Sequence, residues 1–193
     1  MILSVTKFSK SKVVLPRPSI DEVNRYLKHW DSLENYRLQE DALDKLFHQL
    51  CPENKGILDI LLKAATLNDF YSTNIFSIFP VAKHIQSLEI DPRLEKGNVT
   101  LVNDLQNVEI SGKIKHFYSF ATKYCSHHNA EEFPIYDSYV EKVLRYFRDQ
   151  DHFSEFSSDS LKDYGSFKSI LLDFRKFYSL DSFTLKDIDR NIW

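Results

Sequence analysis

Lys113 and Asp137 are the two residues whose types and positions could carry chemistry. They lie in a central stretch, Ser111 to Arg148, which is predicted to form two helices separated by a polar Cys/His/Asn break. Lys113 follows Gly112 where the first helix is expected to begin, and Asp137 follows a proline-containing segment at the start of the second. A lysine amine can form a covalent intermediate, and a nearby carboxylate can stabilise developing positive charge. The pair therefore predicts covalent amine chemistry.

Each of the two residues also has a structural interpretation. A helix N-terminus disfavours an ammonium group, which would favour a reactive amine, yet a lysine at a helix start can equally be a solvated surface residue. Aspartate is among the best N-cap residues, and a capping carboxylate stays rigid and ionised. Lys115, two residues after Lys113, points to a different face and is the substitute candidate for the amine. The sequence leaves open which of the two lysines would react.

The elements that position these residues are predicted to be helices. Apolar residues recur at helical spacing, and four Gly and six Pro are few for a turn-rich β protein. Ser19 and Glu22 form a capping-box pattern at the start of the first helix. A helix expected from Thr73 to Leu88 contains Pro80, which should kink it. The sequence predicts an all-α, two-lobed multi-helix bundle of eight or nine helices.

Composition bounds the class of protein. The chain has 193 residues, of which 42% are hydrophobic, enough to build a real core. Residues 1–18 end in a Pro-Arg-Pro sequence and are expected to form an extended leader. Residues 19–193 are expected to form a single α-helical domain, with the central motif region at 55–150. No run approaches the roughly 20 apolar residues of a membrane span, so no membrane association is predicted.

Cysteine usage and charge indicate the compartment and the partners. Two cysteines do not make a disulfide framework, and the N-terminal residues lack the apolar segment of a signal peptide, so a cytoplasmic location is expected. The formal net charge of −3 argues against a protein that coats nucleic acid non-specifically. It leaves room for a few phosphate contacts from one basic face.

Several short motifs resemble the helix-hairpin-helix superfamily of base-excision DNA glycosylases, and more narrowly the 8-oxoguanine DNA glycosylase fold. Ser111-Gly112-Lys113 resembles the turn that opens a helix in that family, and Pro134 to Asp137 resembles its acidic segment. The run Phe120-Ala-Thr-Lys123 is similar to the Phe-Ala-x-Lys run of the archaeal branch, and Leu67 to Ile75 is similar to an upstream helix. The chain departs from the family in having Val108-Glu-Ile-Ser-Gly112 where Leu-Pro-Gly-x-Gly is usual.

The resemblance implies a fold with a helix-hairpin-helix-like element, a reaction and a set of site residues. Lys113 would be the nucleophile that forms a Schiff base at the sugar, and Asp137 would stabilise the sugar cation as a damaged or modified base departs. No cofactor is needed, and double-stranded DNA is the expected partner of a monomer. The residues that would hold a flipped base are Tyr118, Phe133, Tyr136 and Phe147. The residues that would contact DNA are Gly112, Lys115, Lys142 and Arg145.

Two further interpretations stay open. The pairs His48/Cys51 and Cys125/His128 have the spacing and ligand types of half zinc sites, although closed zinc motifs usually carry Cys-x-x-Cys on at least one side. The chain can also be a non-catalytic helical module that keeps the fold and binds DNA or a protein. The acidic balance and the unusual hairpin favour that second interpretation.

Overall fold

The computed structural model describes residues 15–192, with side chains described up to residue 188. Residues 1–14 of the expected leader lie outside that range. Helix α1 (Ile20–Ser32) begins where the capping-box pattern predicts. The Ser19 hydroxyl accepts a hydrogen bond from the Glu22 amide at 3.2 Å, and the Glu22 carboxylate pairs with Arg25 on the next turn. The cap is therefore formed by the serine.

Helices make up most of the described chain. A π-helical turn (Lys45–Leu50) continues helix α2 (Glu34–Asp44) to Cys51. A short 3-10 turn (Ser160–Lys162) precedes helix α9 (Tyr164–Phe177). The remaining helices are α3 (Ile57–Phe70), α4 (Ile78–Ser87), α5 (Asp91–Glu95), α6 (Thr100–Leu105), α7 (Tyr118–His128), α8 (Ser138–Asp151) and α10 (Leu185–Ile192). The predicted all-α multi-helix class is confirmed.

A two-stranded β-hairpin lies between α6 and α7. Strands β1 (Asn107–Ile110) and β2 (Lys113–His116) pair antiparallel, and Ile110 is opposite Lys113. The prediction that Gly112 and Lys113 begin a helix is therefore wrong. Ser111 and Gly112 have φ of +52° and +74°. Positive φ at both central residues is what a two-residue hairpin turn with the right-handed twist of its strands requires.

Helix α4 begins later than predicted. It starts at Ile78 and not at Thr73, so Pro80 lies in the first turn. The missing N–H of a proline costs little there, because the first amides of a helix have no partner within the helix. The Asn68 side chain holds the preceding loop: its Oδ1 accepts from the Ile75 amide at 2.9 Å and from the Thr73 hydroxyl at 2.7 Å. Pro80 therefore neither splits nor kinks a longer helix.

The core runs through the described chain from Val23 to Ile188 as one hydrophobic cluster. Helix α7 lies near its centre, because it packs on α3 and α6 and buries the continuous run from Phe120 to Ser126. Helix α10 closes the other side by packing on α1, α8 and α9. Among the described residues, no helix combines the length and apolar character needed to cross a membrane.

Candidate active site

Helix α7 carries a lysine into the protein interior. Lys123 is only 3% exposed, and its sequence neighbours Thr122 and Tyr124 are fully buried. Its Nζ donates a hydrogen bond to the Ser119 hydroxyl at 2.6 Å, one helical turn earlier. The same nitrogen lies 5.2 Å from the centre of the Tyr71 ring, where the aromatic face attracts a cation. A buried amine with defined contacts is a candidate reactive group.

Asp137 caps helix α8, as the sequence predicts. Its Oδ1 accepts hydrogen bonds from the amides of Tyr139 at 2.8 Å and Val140 at 2.9 Å. Its other oxygen, Oδ2, lies 3.9 Å from Nζ of Lys123. The two carboxylate oxygens therefore face different groups, one the helix and one the buried amine.

A cavity of about 460 Å³ lies over the Lys123–Asp137 pair. We call it the lysine cavity. Three segments form it: the loop after α3, the junction of β2 with α7, and the start of α8. Its walls are Tyr71, Ser72, Thr73, His116, Phe117, Tyr118, Ser119, Phe120, Lys123, Asp137, Ser138 and Tyr139. An amine, a carboxylate and aromatic rings therefore meet at one opening.

A second cavity, of about 210 Å³, adjoins the first and is lined largely by rings. We call it the aromatic cavity. Tyr71 and Ser72 line both cavities, and Trp30, Tyr36 and Phe70 belong to the second. Its remaining walls are Gln39, Glu40, Leu43, His127, Ile135 and Lys186. It offers a mainly apolar, ring-lined space next to the buried amine.

His127 is the titratable ring of the aromatic cavity. Its Nε2 lies 3.0 Å from the Tyr71 hydroxyl. Burial, with a smaller contribution from Lys186, lowers the pKa of His127 to about 4. The imidazole is therefore neutral at pH 7, and its Nε2 can accept from, or donate to, the tyrosine according to its tautomer.

The two lysines proposed from the sequence as the nucleophile lie elsewhere. Lys113 and Lys115 are exposed on strand β2, and neither lines the lysine cavity. Gly112 occupies the hairpin turn, where no atom of the described residues other than its chain neighbours lies within 4 Å of the position its Cβ would take. Lys142 and Arg145 are exposed on α8, and Arg145 pairs with Glu141 at 3.5 Å. The structure brings Asp137 to a buried lysine, and that lysine is Lys123.

The four aromatic candidates for base binding lie in different environments: one lines the lysine cavity and three are buried in the core. Tyr118 lines the lysine cavity, and its buried hydroxyl has no hydrogen-bond partner among the described residues. Phe133 and Phe147 are core residues, so they have the structural role that a chain rich in aromatics favours. Tyr136 is buried beside Asp137, where its hydroxyl donates to Glu141. Only Tyr118 among the four faces the lysine cavity.

Lys123, which the sequence analysis does not single out as a candidate amine, lies in a run that carries a sequence signal. The run from Phe120 to Lys123 carries part of the family resemblance, and Lys123 is the lysine of that run. In the structure, the lysine lies within a segment, Phe120 to Ser126, in which every residue is buried. A charged residue inside such a segment is almost never buried without a partner, so it is a candidate site residue in its own right.

Another buried lysine, Lys63 of α3, belongs to a separate polar network. Its Nζ donates to the Asn54 side-chain oxygen at 2.7 Å and to the Glu53 carbonyl at 3.0 Å. The Tyr124 hydroxyl donates to the same Asn54 oxygen at 2.6 Å. Burial lowers the pKa of Lys63 to about 8. Asn54 of this network also lines a separate cavity of about 900 Å³, which does not include Lys123 or Asp137.

The residues of the zinc interpretation do not form a site. His48 pairs with Asp44 at 3.0 Å, and Nε2 of His128 lies 3.3 Å from Nζ of Lys63. Cys51 and Cys125 are both buried as free thiols. Within the described part of the chain, no three His, Cys, Asp or Glu side chains are grouped so that they could hold a metal ion.

Comparison with known proteins shows the family of the chain. The HI_0787_N family, described as an N-terminal domain, matches residues 22–132, and the chain belongs to this family. A protein of Haemophilus influenzae, named only as an uncharacterized protein, is 54% identical over 127 residues. That alignment covers 65% of this chain and 60% of the relative's length. No solved structure matches the chain. The family region includes Lys123 and stops short of Asp137.

Proposed function

We propose that this chain is a DNA glycosylase-like protein and that its lysine cavity removes a damaged or modified base. One observation carries the proposal: the amine of Lys123 and a carboxylate oxygen of Asp137 lie 3.9 Å apart at the floor of a cavity. The resemblance of the run ending at Lys123 and of the segment ending at Asp137 to glycosylase motifs supports it. Lys123 therefore replaces Lys113 in the proposed mechanism.

The proposed reaction begins with attack of the Lys123 nitrogen on C1′ of the deoxyribose. A new C–N bond forms, the bond from C1′ to the base breaks, and the base leaves with the bonding electrons and takes up a proton. The nitrogen loses a proton as it reacts, and Oδ2 of Asp137 is placed to receive it once the two groups close the remaining distance. The departing base takes up that same proton, which returns Asp137 to its carboxylate form. The same carboxylate stabilises positive charge on the sugar. The sugar ring then opens to a Schiff base, from which the 3′ phosphate can be eliminated.

A base attacked in this way must leave the duplex stack and enter a pocket. The aromatic cavity is the proposed pocket, because it adjoins the lysine cavity through Tyr71 and Ser72. Its rings can sandwich a planar base, and neutral His127 can exchange a hydrogen bond with a base edge. Trp30 and Tyr36, whose ring centres lie 6.0 Å apart, form one side of it.

The surface around the lysine cavity supports contact with DNA. Strand β2 carries exposed Lys113 and Lys115 and ends at His116, which lines the cavity. These basic side chains can neutralise phosphates, whereas the overall charge of −3 opposes non-specific coating. Phe76, which follows the loop of Tyr71 to Thr73, is 99% exposed and is available to stack on a base.

Borohydride trapping tests the proposal. The protein is incubated with duplex DNA carrying an abasic site or 8-oxoguanine, and borohydride reduces any Schiff base to a stable crosslink. We expect a crosslinked band with the wild-type protein and none with Lys123→Gln. A crosslink that persists at full yield in Lys123→Gln would refute the assignment of the amine.

Lys113→Gln is the matched control, because it removes the amine first suggested by the sequence from an exposed strand. We expect it to crosslink as well as the wild type at saturating DNA. The β2 lysines are proposed to contact phosphates. Lys113→Gln should therefore reduce the slope of log K for DNA binding against log salt concentration by about one, which corresponds to one lost phosphate contact. Loss of trapping in Lys113→Gln at saturating DNA would instead restore Lys113 as the nucleophile.

A non-catalytic module that binds DNA or a protein is the second candidate. Two features favour this non-catalytic module. The net charge is acidic, and the chain has a β-hairpin where the glycosylase family has its glycine-rich hairpin between two helices. DNA binding with no crosslink, no base release and no strand cleavage on any of the substrates would support this candidate over the enzyme.

A further inference from the structure

Thr122, the residue before Lys123, makes an unusual set of contacts across the core. It is fully buried, and its Oγ1 accepts a hydrogen bond from the Tyr136 amide at 3.1 Å. The same oxygen lies 3.0 Å from the Ser119 carbonyl and 3.2 Å from the Tyr136 carbonyl. Its single hydrogen can be donated to either of two carbonyls, one on α7 and one in the segment before α8.

These contacts join the two residues that precede the proposed reactive pair. Thr122 is followed by Lys123, and Tyr136 is followed by Asp137. Helix α7 and the segment before α8 are joined here by hydrogen bonds between the Thr122 side chain and the Tyr136 backbone. These hydrogen bonds contribute to the distance between the two backbones. A change of about 1 Å in such a distance can cost roughly 100-fold in rate.

Other contacts fix the ends of the same pair. Ser119 accepts a hydrogen bond from the amine of Lys123, and the α8 amides hold one oxygen of Asp137. Both contacts are local to one helix, so neither sets the separation between helices. Among the described residues, the Thr122 hydroxyl forms hydrogen bonds that cross from one element to the other beside the pair, and the Tyr118 and Tyr136 rings, whose centres lie 4.6 Å apart, also pack across this junction.

We infer that Thr122 is a positioning residue that sets the separation between the amine of Lys123 and the carboxylate of Asp137. The effect of Thr122 on the reaction rests on the proposed function, whereas its effect on the separation of the two groups does not. Thr122 does not touch the reacting atoms and acts only through the two backbones that it joins.

The first test measures the single-turnover rate of borohydride trapping at saturating abasic DNA, together with the dissociation constant for DNA. Thr122→Val keeps the shape of the side chain and removes its hydrogen bonds. We expect the trapping rate to fall by about 10- to 100-fold while DNA affinity stays within about twofold of the wild type. Thr122→Ser, which restores the hydroxyl, should return the rate to within about threefold.

A second readout does not depend on DNA chemistry. Formaldehyde with cyanoborohydride methylates unprotonated amines, and mass spectrometry gives the rate at each lysine. A carboxylate close to an amine favours its protonated form, so an amine released from that carboxylate methylates faster. At pH 7 we expect Thr122→Val to raise the methylation rate of Lys123 roughly threefold or more, towards the rate in Asp137→Asn. Thr122→Ser should stay near the wild type.

The outcomes separate the two proposals. A wild type that never crosslinks, combined with faster methylation in Thr122→Val, supports the positioning role and rejects the lyase mechanism. Unchanged trapping and methylation in a folded Thr122→Val protein would overturn the positioning role. So would an equal loss in Thr122→Ser. Thr122→Val leaves the buried Tyr136 amide without its acceptor, and the variant can fail to fold for that reason. In that case Thr122→Cys, whose sulfur is a weaker acceptor, replaces it in both measurements.

Discussion

At the scale of the residue, the two carboxylate oxygens of Asp137 face different groups. Oδ1 accepts from two amides of α8, and Oδ2 faces the amine of Lys123 at 3.9 Å. Capping and charge stabilisation are therefore compatible in one side chain, because the cap holds the carboxylate in a fixed orientation. A substitution that keeps one function and removes the other can measure them separately.

Replacing Asp137 with asparagine should separate the cap from the chemistry. Asparagine caps helices about as well as aspartate. The substitution also removes the carboxylate charge beside a nearly buried amine, so we expect the free energy of unfolding of Asp137→Asn to fall by up to about 3 kcal/mol. The charge beside the amine is lost, and the trapping rate should fall by about 100-fold. Urea unfolding and single-turnover trapping measure the two quantities.

Asp163 provides a second helix cap that does not line the lysine cavity, although its charge acts on the hydroxyl of Tyr118. It caps α9 by accepting from the Ser166 amide at 2.9 Å. We expect Asp163→Ala to destabilise the fold by about 1 kcal/mol with no change in trapping rate. A similar loss of trapping in Asp163→Ala and Asp137→Asn would mean that the effect at Asp137 comes from helix stability alone.

At the scale of the element, the β-hairpin determines where the basic residues lie. Its two-residue turn places Lys113 and Lys115 on an exposed strand, and its end delivers the chain to the start of α7. The turn depends on left-handed backbone at Ser111 and Gly112. The hairpin is therefore a specific structure that has its own sequence requirements.

Substitutions in the turn should change stability in opposite directions. Gly112 has φ of +74° and open space around its Cβ position, so Gly112→Ala suffers from backbone strain without a clash. We expect it to lower the free energy of unfolding by about 1 kcal/mol. Ser111→Asn creates the Asn-Gly pair that such turns prefer and should raise it by about 0.5 kcal/mol. Thermal and urea unfolding measure both.

Gly165 gives the control for the glycine substitution. It lies in the first turn of α9, and the nearest atom to its Cβ position is an Asp163 oxygen at 3.5 Å, an ordinary contact. We expect Gly165→Ala to stabilise the protein by up to about 1 kcal/mol, because alanine is the better helix former. Equal destabilisation of both alanine variants would argue against the left-handed turn at Gly112.

At the scale of the whole molecule, burial of His127 couples global stability to pH. The ordinary pKa near 6.5 applies to the unfolded chain, and burial lowers the pKa to about 4 in the folded protein. As pH falls below 6.5, the unfolded chain takes up a proton that the folded protein does not bind. The stability that is fully present above pH 6.5 is therefore lost as pH falls towards 4.

His127→Gln should reduce this pH dependence. For the wild type, the His127 contribution at pH 5 is a loss of about 2 kcal/mol relative to pH 7. We expect the difference between the unfolding free energies at pH 7 and pH 5, measured with urea, to shrink by about that amount in His127→Gln. His29→Gln, a change at an exposed histidine of α1, is the control for removing a histidine outside the aromatic cavity. No change in His127→Gln would show that His127 is protonated equally easily in both states.

The sequence by itself determined the helical class and several helix starts. Ser19 and Asp137 cap helices in the structure as their residue types predict, because capping depends on hydrogen bonds within a few residues. The hairpin turn was misread as a helix start. Glycine followed by lysine fits both a helix start and a hairpin turn. Only the pairing of β1 with β2 distinguishes the two structures.

Tertiary structure alone decided which lysine meets Asp137. Lys113, Lys115 and Lys123 are the same residue type within eleven positions, and nothing local makes one of them buried. Lys123 is buried because α7 is surrounded by other helices, and it meets Asp137 because the chain returns to α7 after the break at 129–136. Helical periodicity describes neighbours within a helix, whereas the separation of an amine on one helix from a carboxylate on the next depends on how the two pack.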